Sequence, residues 1–215
     1  MSSDERFNKS VEILQNGGWT ATDWGSHAGG GERAVAPTGL KGPGGTAVPT
    51  DMLLYAPGPG YDPIRSTFSL FIADWMQQLG FDVIARPTGF GVIVDKVFAP
   101  ELCEDWYFYM LGWGVPTFDS HYIFNFLVHT KTGDRGSWNP TGYSDPAVDA
   151  MIVSLESETD LAVRNATIAK IWAAIQAQQM YLPIHNQVLN WGMKDKIDFA
   201  VQPEDQPHFQ FLNFK

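Results

Sequence analysis

DWYFYMLGWGVPTFD, residues 105–119, is the stretch on which the fold turns. Its apolar and aromatic run, residues 106–111, is too continuous for a half-exposed strand and too short for a helix, which predicts an internal strand covered on both faces. The run breaks at Gly112-Trp113-Gly114, where two glycines let the backbone turn and set a broad ring at the carboxyl end of that strand. Open α/β sheets hold their ligands at that end; a Trp simply packed over a strand end fits the same residues.

Working outward, the pattern on the amino-terminal side is regular. Residues 52–55 read as a short apolar strand stopped by Ala56-Pro57-Gly58-Pro59-Gly60, and Asp62-Pro63 supplies an N-cap and a first-turn proline. Phe68, Phe71, Ile72, Trp75 and Leu79 then recur at helical spacing up to Gly80. Residues 81–86 form a second predicted strand, and Phe90, Ile93, Val94, Val97 and Phe98 a shorter helix that leads to the 106–111 strand. The order β-α-β-α-β implies right-handed crossovers and a mostly parallel sheet with flanking helices, an α/β fold. Gly89-Phe90-Gly91 stands where a dinucleotide fingerprint would open its helix, but the third glycine of that fingerprint is Val94 here, which disfavours a nucleotide.

Before the first strand, Ser3-Asp4-Glu5 starts a helix that Gly17-Gly18 stops, and residues 25–50 read as a long surface loop with one short strand near 33–35. Residues 39–46 lack the Gly-Lys-Ser/Thr ending of a phosphate loop. After Asp119, residues 121–129 predict a short aromatic helix, 131–142 a loop, and Asp145 and Asp160 the caps of two more helices. Residues 181–190 alternate around Pro183 like a half-buried strand. The tail carries Phe209, Phe211 and Phe214 with no evident partner element.

The chain of 215 residues has a net charge of -10 and no basic cluster, which argues against nucleic acid and an anionic membrane surface. Its single cysteine, Cys103, lies between Glu101 and Glu104, whose charges raise a thiol pKa and oppose a nucleophilic role. His121 and His129, eight positions apart, fall about 12 Å from each other on a helix, too far to share a metal. Asp145 and Asp149 read as a cap and a helix-surface charge. No metal site, cofactor or catalytic constellation emerges; a small hydrolase using Asp119 and His121, and an interaction module built on the aromatic 118–126 patch, are the competing readings.

Five landmarks in order carry a resemblance: Ile13-Leu14-Gln15-Asn16-Gly17-Gly18-Trp19; the strand-helix-strand of residues 51–91 with Phe81-Asp82-Val83; Met110-Leu111-Gly112-Trp113-Gly114; Gly142-Tyr143-Ser144-Asp145-Pro146-Ala147-Val148-Asp149; and Tyr181-Leu182-Pro183-Ile184. Together they resemble the carboxyl-terminal lobe of the extracellular solute-binding proteins of the oligopeptide, dipeptide and nickel class, which serve ABC importers. The resemblance implies one lobe of a periplasmic-binding-protein-like type II fold over residues 1–200, with 201–215 returning toward an amino-terminal lobe that is not in this chain. It implies a binding function without catalysis or cofactor, a peptide or other small solute as ligand, an ABC permease as partner, and a periplasmic or extracellular, membrane-associated location. The implied cleft wall is Tyr55, Gly89, Phe90, Trp113, Gly114, Phe118, Asp119 and Tyr122. The acidic residue that commonly stands three positions after the tryptophan in the peptide binders is Pro116 here, which leaves Asp119 as the nearest acid. A lobe without its mate is expected to expose Trp113, Phe118 and Tyr122 and to self-associate weakly through them.

Overall fold

The computed structural model describes residues 1–30, 32–99, 106–188, 190–199 and 209–215. The connector that holds Glu101, Cys103 and Glu104 lies outside them, as does most of the 201–215 tail. The chain divides into two compact units, Met1–Leu111 and Gly112–Lys215.

In the first unit, α1 (Ser3–Asn16) begins with a capping box in which the Ser2 hydroxyl accepts from the Glu5 amide and the Glu5 carboxylate accepts from the Ser2 amide. A parallel sheet follows: β1 (Met52–Pro57) lies between β2 (Val83–Thr88) and β3 (Phe108–Tyr109). The helices α2 (Pro63–Gln78) and α3 (Phe90–Ile93, extended by a wider π turn, Val94–Phe98) make the crossovers. Met52, Leu54, Ala73, Phe81 and Val83 form the core, with Leu14, Trp19 and Leu40 packed against it.

This corrects the expectation for residues 106–111. The internal strand is β1, the aliphatic run; β3 is only two residues long and is an edge among the described residues, with Tyr107 and Phe108 exposed. The cause is the kind of apolar residue. Trp106 and Phe98 set their rings edge-on to Tyr109, at 5.6 and 5.7 Å, so the aromatic run satisfies itself by ring contacts and tolerates water, where aliphatic side chains would not. On the other flank Pro87, which has no amide to donate, suits β2 to an edge.

Two further expectations change in this unit. Residues 20–47 are an irregular hairpin arm, bridged at Thr20–Lys41, Asp23–Thr38, Ser26–Val35 and Lys41–Ala47. Along α2 the small residues Ser66, Ser69 and Ala73 are the buried ones, while Phe71 and Trp75 of the apolar series are exposed. Three neighbouring positions on one helix face that are Ser, Ser and Ala let the helix lie close to the sheet, and the large rings are left on the opposite side.

The second unit is built on α4 (Ser120–Ile123, extended by a π turn, Phe124–Val128), α5 (Pro146–Ser154) and α6 (Leu161–Ala177). Phe124, Val128, Val148, Ile152, Leu155, Ile171 and Ile175 form its core. Asp145 and Asp160 cap α5 and α6 as expected, each accepting two backbone amides. The predicted strand at 181–190 is absent: the described residues of that stretch are irregular and Leu182, Ile184 and Val188 are exposed. The tail, expected to lack a partner, does pair: β5 (Leu212–Phe214) lies antiparallel to β4 (Ile197–Phe199), although its phenylalanines stay exposed. No described helix is long and apolar enough to cross a membrane.

Candidate functional site

The second unit gathers three rings about Trp113. Its indole lies 6.0 Å from the ring of Tyr122, 6.2 Å from Phe126 and 5.6 Å from Trp138, and Tyr122 and Phe126 are 4.9 Å apart. Beside this nest is a hollow of about 240 Å³ lined by Thr117, Asp119, His121, Tyr122, Asn125 and Phe126. At the nest, Trp113 Nε1 is buried and has no hydrogen-bond partner among the described residues. A buried donor left without a partner costs about 1–3 kcal/mol.

The helix and the loop that form the site hold each other. Because the α4 extension closes with the His129 amide donating to Phe124 across five residues, the carbonyls of Asn125 and Phe126 are left for other donors. The amides of Gly136 and Trp138 donate to them at 2.8 and 3.0 Å, and Arg135 Nη1 donates to Asn125 Oδ1 at 2.8 Å. This zips the 130–142 loop onto α4 and carries Trp138 to Trp113. Behind it Asn139 is buried: its Nδ2 donates to the carbonyls of Val128, His129 and Tyr143, and its Oδ1 accepts from the Thr141 amide and hydroxyl. Asp149, expected on the helix surface, instead accepts from the Thr130 amide at 2.9 Å and hydroxyl at 2.5 Å.

Asp119 caps α4 by accepting from the His121 amide at 2.9 Å, and its other oxygen takes Arg164 Nη2 at 2.5 Å. The Arg164 guanidinium is the main cause that lowers the Asp119 pKa below the usual carboxylate range. Arg164 also donates to the Leu155 carbonyl at the end of α5, so one side chain joins three helices. A carboxylate held ionised in this way is a poor general acid. His121 faces Glu156 at 3.6 Å, and Arg135, paired with Glu156, is the main cause of that acid's lowered pKa. A depressed carboxylate pKa contributes stability above its unfolded value, and that contribution disappears as pH falls through the folded value. Asp119 is 40% exposed, so solvent screening limits its share to about 1 kcal/mol or less. Arg164→Met is therefore expected to lower the melting temperature more at pH 7 than at about pH 3, where the pair's contribution is already falling and the lost bonds to the Leu155 and Glu158 carbonyls weigh more; an equal drop at both pH values would contradict the pair's role.

The other predicted site residues fall as follows. Tyr55 lies near the carboxyl end of β1, and Gly89 and Phe90 follow the end of β2, with Phe90 stacked on Tyr61 at 5.6 Å. Gly114 is in the irregular segment after β3 and is exposed. Phe118 stands exposed at φ 54°, a left-handed conformation that is strained for a bulky residue. Of the three rings expected to be bare, Phe118 alone is; Trp113 and Tyr122 are half-buried because Phe126 and Trp138 cover them. Trp138 is the member that the sequence did not point to, while Phe126 lay within the aromatic 118–126 patch. The available signal was a tryptophan in an otherwise polar loop, next to the Asn139-Pro140 turn. Among the described residues no three His, Cys, Asp or Glu side chains come together to hold a metal ion.

No protein-family model and no curated protein sequence matches the chain. Solved structures do. NikA from Brucella suis in complex with Fe(III)-EDTA matches 96% of this chain and 37% of its own at a TM-score of 0.61 and 17% identity. The oligopeptide-binding protein AppA from Bacillus subtilis, in complex with a nonapeptide, matches 81% of this chain and 30% of its own at 0.55 and 17% identity. A nickel ABC transporter structure from Bacillus halodurans matches 81% and 31% at 0.54 and 16% identity. The chain spans about a third of the length of each of these structures. Parallel sheet, flanking helices and these matches agree: the chain has the α/β architecture of the periplasmic-binding-protein-like type II fold seen in solved ABC-transporter binding proteins.

Proposed function

We propose that this chain forms one ligand-binding wall of a solute-capture protein that serves an ABC importer, and that it catalyses no reaction. The observation that carries the reading is the match of nearly the whole chain to a stretch of NikA, a protein solved with a bound chelate. The nest supports it locally: Trp113 and Tyr122, with the exposed Phe118 of the preceding turn, offer ring faces to the apolar part of a peptide or chelate. Asp119, with both oxygens engaged, positions α4 and leaves ligand recognition to its neighbours. The reading takes residues 1–200 as the lobe and an amino-terminal lobe and a permease as partners, in a periplasmic or extracellular, membrane-associated protein. A lobe with one wall binds at least about a hundredfold more weakly than the closed two-lobed protein.

The test uses two probes, a nonapeptide pool and Fe(III)-EDTA, followed by thermal shift and tryptophan fluorescence. One of them is expected to bind at up to about millimolar concentration. Phe118→Gly, which removes an exposed ring of roughly 100 Å² contact area and relieves a strained φ, is expected to weaken that binding about ten- to a hundredfold while the unliganded melting temperature holds or rises. Binding of neither probe, or unchanged binding in the variant, would overturn the assignment.

A further inference from the structure

The hollow beside the aromatic nest has a carboxylate in its wall, yet the acids around it are each matched by an arginine. Asp119, whose side chain is 40% exposed, lines the hollow; Arg164, whose side chain is 16% exposed, does not line it and holds Nη2 2.5 Å from Asp119 Oδ2. The guanidinium is also fixed apart from that pair, since Nη1 donates to the carbonyls of Leu155 and Glu158. The second acid, Glu156, faces the lining residue His121 at 3.6 Å and is paired with Arg135. The other groups that line the hollow are neutral. They are the rings of Tyr122 and Phe126, the Thr117 hydroxyl, and the amide of Asn125, whose Oδ1 accepts from Arg135 and whose Nδ2 has no partner among the described residues.

We propose, on the reading that this hollow receives part of a ligand, that Arg164 sets its charge preference: by cancelling Asp119 it fits the hollow to an uncharged, hydrogen-bonding side chain and turns away ammonium and carboxylate groups alike. A charged group gives up part of its water on entering and needs an opposite charge in exchange. An ammonium that reaches Asp119 meets a carboxylate whose field the guanidinium 2.5 Å away opposes. A carboxylate that enters meets the more exposed Asp119 before the less exposed Arg164. An amide or hydroxyl side chain loses less water and finds both kinds of partner, an acceptor for the Asn125 amide hydrogens and a donor for the lone pairs that Asp119 has left after the His121 amide and Arg164. At about 240 Å³, the share of about eight waters, the hollow has room for one side chain and not for a length of peptide.

The test compares three pools of terminally blocked nonapeptides by tryptophan fluorescence at pH 8, above the usual titration range of imidazoles. The pools are the same mixture of uncharged residues, with glutamine, lysine or glutamate at the fifth position. For the original chain the glutamine pool is expected to bind at least about tenfold more tightly than either charged pool. Arg164→Met uncovers Asp119, and the lysine pool should then gain about tenfold or more and become the tightest. Asp119→Asn keeps a side chain that can cap α4 and uncovers Arg164 instead, so the glutamate pool should gain by a similar factor; it decides by itself if Arg164→Met does not fold. The double variant, again without net charge, should return to the original order. A merely structural role for Arg164 would weaken all three pools together and keep their order, which would overturn the proposal, as would equal binding of the three pools to the original chain. Binding of Fe(III)-EDTA but of none of the pools would overturn the charge preference and leave the ligand-binding reading in place; binding of no probe at all would overturn both.

Discussion

Gly136→Ala is expected to destabilise the second unit by about 2–5 kcal/mol, the sum of left-handed strain and overpacking. Gly136 is buried at φ 63°, and a Cβ built on it would lie 2.2 Å from the His129 carbonyl oxygen and 2.8 Å from the Thr130 carbonyl. Both contacts are backbone, so no side chain can swing away to relieve them. The one response left is to lift the loop, which breaks the Gly136 and Trp138 amide bonds to the carbonyls of Asn125 and Phe126. Trp138 then leaves Trp113. The expected signature is a lower urea midpoint together with loss of near-ultraviolet tryptophan ellipticity. A variant with unchanged stability would mean that the loop is not held by this bend.

How far the sequence leads depends on what kind of residue carries the information. Helix starts were legible because Asp62, Asp145 and Asp160 each cap through local geometry that needs no tertiary partner. The β-α-β-α-β order of the first unit was legible for the same reason, since strand and helix periods differ within a few residues. The rank of the strands was not: continuous apolarity was taken for two-sided burial, and it fails where the apolar residues are aromatic, as in β3. Which face of α2 meets the sheet was hidden because large rings outweigh Ser and Ala in any hydrophobic pattern, although the small residues are what let the helix lie close. In the site, Trp113 and Tyr122 announced themselves by the Gly-Trp-Gly turn and the aromatic segment after it. Phe126 meets Tyr122 by helical spacing, while Trp138 joins them only through hydrogen bonds from a loop that has no period of its own. Asp119 was found as the acid nearest to Trp113, but its engagement with Arg164, 45 positions away, is a tertiary fact that no local spacing encodes.

Asn139→Asp keeps the shape of the side chain and reverses its polarity, and it is expected to cost about 3–5 kcal/mol at neutral pH. In the native amide, Nδ2 donates to the His129 and Tyr143 carbonyls at 3.1 and 3.0 Å and to Val128 at 3.4 Å, while Oδ1 accepts twice from Thr141. Aspartate puts an oxygen in place of Nδ2, facing three carbonyl oxygens from within a side chain that is 3% exposed. Protonation restores one donor at most, so the folded pKa of the new carboxyl must lie above the unfolded value of about 3.9. The sign follows from linkage: the group harms the native state least below the unfolded pKa, and the deficit grows as pH rises through the folded pKa. Urea unfolding of both proteins at pH 4 and pH 7 should therefore give a stability difference that is larger at pH 7 by at least about 1.4 kcal/mol, the worth of one pKa unit. The same deficit at both values would mean that Asn139 matters for its volume and not for its donors, and the 130–142 loop would then owe its position to Gly136 and Trp138 alone.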